Sequence, residues 1–166
     1  MLENLFKELG IPLDYGEALG LPRFAEAESL EDVGVNIVGR MQRLTPVAAG
    51  QWREMAAAAA AERVDLLIVS GFRSVEYQAG LIRQKLAAGQ SIGEILQVNA
   101  APGYSQHHSG LAIDVATPGS RPLTEEFEAT EAYLWLRENA ATFGFSMTYP
   151  RNNRFGFVYE PWHWAL

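Results

Sequence analysis

The stretch Ser105-Gln106-His107-His108-Ser109-Gly110-Leu111-Ala112-Ile113-Asp114 packs metal-capable histidines, a carboxylate and small residues into ten positions. From Gly110 the pattern alternates. Leu111, Ile113 and Val115 are apolar on one face of a strand, and Gly110, Ala112 and Asp114 fall on the other. A carboxylate on the small-residue face needs a partner, because burying an unpaired charge costs several kcal/mol or forces protonation. A metal held jointly with His107 would supply that partner.

Near the other end of the chain, Glu160-Pro161-Trp162-His163 sets a second carboxylate and a second histidine three residues apart. Pro161 fixes its own φ and biases Glu160 toward an extended conformation, so the segment is stiff. The chain has only three histidines, and all of them fall in these two motifs. Two His and one Asp form a common zinc set that leaves a fourth position open for water. Glu160 is then left over as the general base.

The run Ser-x-His-x-x-Gly-x-Ala-x-Asp, the later Glu-Pro-Trp-His and the earlier Ser70-Gly71-Phe72-Arg73-Ser74 together resemble the D-alanyl-D-alanine carboxypeptidases of the vancomycin-resistance (VanY) type. That family belongs to a zinc peptidase superfamily with lysostaphin-like and Hedgehog-like folds. The resemblance spans roughly residues 45 to 164, with three motifs in order. It implies zinc as cofactor, His107, Asp114 and His163 as its ligands, Glu160 as catalytic base, and Arg73 as the group that stabilises a developing oxyanion. Ser105 and Gln78 match positions that line the substrate site in relatives. The resemblance also implies an α+β fold in which a small antiparallel sheet carries the zinc site between flanking helices, as in Hedgehog-like and D-Ala-D-Ala peptidase structures. Two departures bear on substrate preference and leave the metal and the base untouched. Many relatives have Arg-Tyr-Pro where this chain has Thr148-Tyr149-Pro150, and many continue past Trp-His-Trp with Arg-Tyr where this one has Ala165-Leu166.

At 166 residues and 48% apolar content, one domain with a substantial core is expected. The net charge is −7, and residues 1–34 carry eight acids against Lys7 and Arg23, a net of −6. No basic stripe is present to neutralise phosphates, which argues against nucleic acid as a partner. The lack of cysteine removes disulfides and thiolate zinc sites. Acids occupy the start of the chain where a signal peptide would be basic, and no apolar run is of signal or membrane-spanning length. A cytoplasmic monomer acting on a peptidoglycan peptide is the resulting expectation, with the periplasm or cell wall as the alternative if an export signal precedes this sequence.

The positioning elements read as follows. Residues 1–44 form an N-terminal arm on a domain of residues 45–166; the acidic stretch Glu26 to Asp32 is solvated surface, and Val35 to Val38 is a short strand. Thr45-Pro46 starts a helix to about Arg63, with alanines favouring helix and close packing. Val64 to Ser70 is a buried strand that ends at Gly71 and delivers Arg73 to its edge. Ser74 caps a helix that carries Gln78 and ends near Gly89, and Ser91 with Glu94 has capping-box spacing for a helix to Val98. Asn99 to Tyr104 is a loop. After the Asp114 strand, a helix from between Glu125 and Glu131 runs to Phe143 and is closed by Gly144, with Tyr133, Leu134 and Trp135 toward the core. Phe145 to Tyr149 and Phe155 to Glu160 pair as a hairpin beside the Asp114 strand.

Two assignments stay open at this level. Unbroken alternation would put His108 on Asp114's face, whereas the motif match favours His107, which requires a bend at Ser109-Gly110. Trp162 and Trp164 either wall the pocket, with Trp162 touching substrate, or pack beneath the C-terminus. Three function classes follow: a zinc carboxypeptidase releasing terminal D-alanine from stem peptides (DD- or LD-type), a peptidoglycan endopeptidase, and a non-catalytic Hedgehog-like zinc module. Retention of Glu160 and Arg73 speaks for the first.

Overall fold

A computed structural model describes all 166 residues. In chain order it contains α1 (Leu2–Leu9), α2 (Tyr15–Ala18), β1 (Glu31–Val35), β2 (Met41–Leu44), α3 (Pro46–Ala61), β3 (Leu67–Ser70), α4 (Val75–Ala87), α5 (Ile92–Val98), β4 (Ala112–Ala116), α6 (Glu131–Asn139), β5 (Ser146–Met147) and β6 (His163–Ala165). Short 3-10 turns cover Gln106–Ser109, Glu125–Ala129 and Ala140–Phe143. The architecture is α+β. One antiparallel sheet has the order β3-β4-β6-β5, and β1 and β2 form a separate two-stranded ribbon.

The expected helix starts are built as their chemistry requires. Thr45 accepts from Ala48 N–H with Pro46 behind it, Ser74 accepts from Tyr77 N–H, and Ser91 and Glu94 complete a reciprocal capping box. On α3, buried Ala48, Ala49 and Ala59 let the helix approach closely, while Trp52 and Met55 fill the main core with Ile113 and Val115 of β4. A second core joins α1 to α4 and α5: Leu5, Phe6 and Leu9 pack with Ala79, Ile82 and Ile95. The strand of residues 112–116 lies between layers, with every residue buried.

Three expectations are corrected. Residues 155–160 are not a strand and form no ladder with 145–149, to which they are joined only by the bond from Glu160 N–H to Tyr149 O; β5 pairs instead with β6, Met147 opposite Trp164. Asn153 is the reason, since its side chain donates to the carbonyls of Pro150 and Phe157 and accepts from the N–H groups of Phe155 and Phe157, closing a loop in place of a ladder. Residues 36–39 are likewise a turn and not part of a strand over 35–38. Asn36 Oδ1 accepts from the N–H groups of Val38 and Arg40, and β1 begins earlier, inside the acidic stretch. Finally, Leu134 is 55% exposed, because the buried face of α6 runs through Ala132, Tyr133, Trp135 and Leu136.

Candidate metal centre

Asp114 on β4 and His163 on β6 are directly opposed in the antiparallel register, which brings their side chains to one face of the sheet. His163 Nδ1 lies 3.0 Å from Asp114 Oδ1, and His107 Nε2 lies 3.2 Å from the same oxygen. His107 comes from the 3-10 turn ending at Gly110, whose φ of +67° is left-handed. A Cβ at Gly110 would stand 3.0 Å from Thr45 and 3.1 Å from Ala27, so both conformation and space call for glycine. This turn breaks the strand before Leu111 and selects His107 for the cluster. The donor atoms of His107, Asp114 and His163 all lie within 4.8 Å of one another, and the three residues are buried.

The outer nitrogens decide what the inner ones can do. His107 Nδ1 is 2.7 Å from the Gly71 carbonyl, which can only accept, so the proton sits on Nδ1 and Nε2 presents a lone pair. His163 Nε2 donates to Gln106 Oε1 at 2.8 Å, and Thr148 Oγ1 donates to the same oxygen at 2.7 Å. That leaves His163 Nδ1 as the ring nitrogen turned toward Asp114. Burial, reinforced by the Arg73 charge and opposed by Asp114, pushes His107 down to about 4. Burial alone would raise the Asp114 carboxyl, but the imidazoles of His107 and His163 outweigh it and hold Asp114 below the usual carboxylate range. Both inner ring nitrogens thus converge on the ionised carboxylate, and one divalent cation would engage all three donor atoms. The donor set of two imidazoles and one carboxylate, each imidazole braced from behind by a carbonyl oxygen, suits a divalent metal such as zinc.

Glu160 sits beside this cluster, with Oε2 3.8 Å from His163 Nδ1. Its backbone N–H donates to Tyr149 O. Burial, with help from Asp114 and against the pull of His163 and Arg73, raises its carboxyl from 4.5 to about 7. Across the site, Arg73 Nη2 lies 3.6 Å from Asp114 Oδ2, and Nη1 donates to Gln78 Oε1 at 3.2 Å. Gln78 is buried and donates in turn to Ala100 O, so it braces Arg73. The Nε of Arg73 is buried without a partner.

All eight side chains singled out in the sequence line one cavity of about 250 Å³. Ser105 and Trp162 are in its wall, and Trp162 also packs on the main core. His108 is outside it. Its Nδ1 donates to Arg73 O at 2.6 Å and its Nε2 accepts from Gly103 N–H, which makes it a clamp between two loops. The cavity wall also includes Lys85, Gln106 and Tyr149, to which the sequence assigned no role in the site. Tyr149 places its ring 4.8 Å from that of His163. Thr148, read from the sequence as a departure that leaves the metal untouched, reaches His163 through Gln106.

With that geometry in place, similarity to known proteins becomes specific. The D-alanyl-D-alanine carboxypeptidase (VanY) family matches residues 41–166. Putative carboxypeptidase YodJ of Bacillus subtilis is 33% identical over 119 residues, covering 70% of this chain and 43% of that protein. The chain thus spans less than half the length of that relative. Among solved structures, the LdcB LD-carboxypeptidase superposes with a TM-score of 0.75 at 30% identity, covering 87% of this chain and 70% of that one. A variant of the vancomycin-resistance D,D-pentapeptidase VanY in complex with Zn(II) gives 0.66 at 28% identity, with 87% and 81% covered. A match over about three quarters of the chain, on a fold that assembles the motif residues around one cavity, shows that this protein belongs to the VanY family of D-alanyl-D-alanine carboxypeptidases.

Proposed function

We propose that the protein is a zinc-dependent carboxypeptidase that removes the C-terminal D-alanine from peptidoglycan stem peptides. The observation that carries this reading is the convergence of the His107 and His163 ring nitrogens on Asp114, with Glu160 beside them and Arg73 across the cleft. His107, Asp114 and His163 would hold the ion. Bound zinc polarises a peptide carbonyl and lowers the pKa of water to around 7.

The chain's own groups supply the rest. Glu160, with its carboxyl raised to about 7, takes a proton from the attacking water and passes it to the leaving amine. A base with a pKa near the working pH combines availability with driving force. Attack puts negative charge on the carbonyl oxygen. Arg73, fixed by Gln78 and by the His108 clamp on its own carbonyl, lines the same cavity and stabilises that charge with its guanidinium. Ser105 and Trp162 line the wall against which the peptide lies. Residues 1–44 serve as an arm that buttresses α4, and through it the Arg73 and Gln78 side of the cleft.

The test is to incubate zinc-loaded protein with tetrapeptide and pentapeptide stems and identify the product by mass. Release of D-alanine is expected, and the stem that yields it sets the LD or DD preference. Cleavage only at internal bonds would make it an endopeptidase, and no cleavage with zinc bound would leave a non-catalytic module.

A further inference from the structure

The cleft contains a second cation that the proposed chemistry does not use. Lys85 stands seven residues beyond Gln78 on α4, two helical turns, so both lie on one face of the helix about 10 Å apart along its axis. Both line the same cavity, with Val98, Asn99 and Ala100 at the end of α5 beside them. Lys85 Nζ donates to Asn99 Oδ1 and forms no salt bridge. Arg73, by contrast, is committed to Asp114 and Gln78. The cleft's carboxylates, Asp114 and Glu160, gather around the histidines. Burial and the nearby Arg73 charge both push the Lys85 ammonium's pKa down, the behaviour of a partly desolvated cation short of an anion.

Resting on the carboxypeptidase reading, we propose that Lys85, oriented by Asn99, recognises a carboxylate of the stem peptide. Two sources carry that chemistry. One is the free α-carboxylate of the leaving residue, and the other is the second carboxylate of a diaminodicarboxylic acid such as meso-diaminopimelate in the preceding position. An extended chain advances about 3.3–3.6 Å per residue, so both fall within the span between Gln78 and Lys85. A lysine in that preceding position would instead bring an ammonium toward an ammonium.

The test is calorimetric binding of four tetrapeptide stems to zinc-loaded protein carrying Glu160→Gln to suppress turnover: lysine or meso-diaminopimelate in the third position, each as free acid and as C-terminal amide. Adding Lys85→Met should raise Kd about tenfold or more wherever the recognised carboxylate is present, as expected for loss of a charge-assisted contact. Lys85→Arg should restore binding, with zinc content and Tm unchanged in both. Loss confined to the free acids assigns the α-carboxylate, and loss that persists in the meso-diaminopimelate amide assigns the side-chain carboxylate. Equal binding of all four by the Lys85→Met protein and its parent overturns the inference. The wild-type protein keeps the two readings separable. Peptides cleaved without any dependence on Lys85 refute this inference alone, whereas peptides bound through Lys85 but never cleaved refute the carboxypeptidase reading alone.

Discussion

At Glu160, burial sets the chemistry, and it also leaves a thermodynamic trace. Glu160→Gln should retain zinc, because the carboxylate lies outside the donor trio, while turnover falls by about a hundredfold to ten-thousandfold. In chelator-treated protein the same substitution reports the cost of the charge. The folded-state pKa is raised to about 7 from 4.5, so folding holds this proton more tightly than the unfolded chain does. The contribution to stability is fully present below about pH 4.5 and is lost as pH rises through 7. Metal-free Glu160→Gln should therefore gain on wild type between pH 4.5 and 8, on the order of 3 kcal/mol by denaturant titration. A constant difference across that range would show that Glu160 is not desolvated. Behind the metal, Gln106→Leu should weaken zinc about tenfold to a hundredfold in chelator competition, because His163 loses the acceptor that fixes its tautomer. Thr148→Val should produce a smaller loss in the same direction.

The elements set these residues with backbone contacts that leave little slack. Gly71 links β3 to Arg73, and a Cβ there would stand 2.6 Å from the Arg43 carbonyl, which already accepts from Phe72 N–H. The Gly71 carbonyl in turn receives the His107 proton. Gly71→Ala should therefore push β2 and β3 apart, cost about 1–3 kcal/mol in stability, and weaken zinc binding without touching any ligand. Unchanged zinc affinity in that variant would mean that His107 is held by the Gln106–Ser109 turn alone. The loop after β5 is another such device. Asn153 folds it so that Phe155 and Phe157 pack on Tyr149, whose ring in turn covers His163.

Across the whole molecule, the cleft lies between two cores: β4 and β6 belong to the main one, and α4 with α5 belongs to the one that α1 completes. Stability of the Arg73, Gln78 and Lys85 side is thus coupled to the first helix, distant in sequence from every motif. Phe6 is 3% exposed and packs in the second core. Phe6→Ala should cost about 3–5 kcal/mol of stability, seen as a lower denaturation midpoint. It should also raise KM more than it weakens zinc, because the metal-binding strands belong to the other core. Equal loss of both would indicate a single cooperative core. No helix of the chain is long and apolar enough to cross a membrane.

The sequence by itself determined the metal-capable trio, the neighbouring glutamate and the helix caps, since each depends on residue types at short spacing. Ser91 and Glu94 cap each other through local backbone, and Gly110 permits a left-handed turn whatever surrounds it. The fold class was legible through the family resemblance that those same motifs carry. Strand pairing was not. Residues 155–160 have the apolar content of a strand, yet Asn153 spends the local hydrogen bonds on a loop, and β5 finds its partner in β6, at the far side of that loop. The roles of Gln106, Thr148 and Lys85 were also beyond reach, because each depends on contact between segments far apart in the chain: 106 with 163, 148 with 106, and 85 with 99. The choice of His107 over His108 lies between the two cases. The sequence supplied the glycine that permits the turn, but the packing of Thr45 and Ala27 against Gly110, and the Gly71 and Arg73 carbonyls that claim one imidazole each, decided which ring faces Asp114.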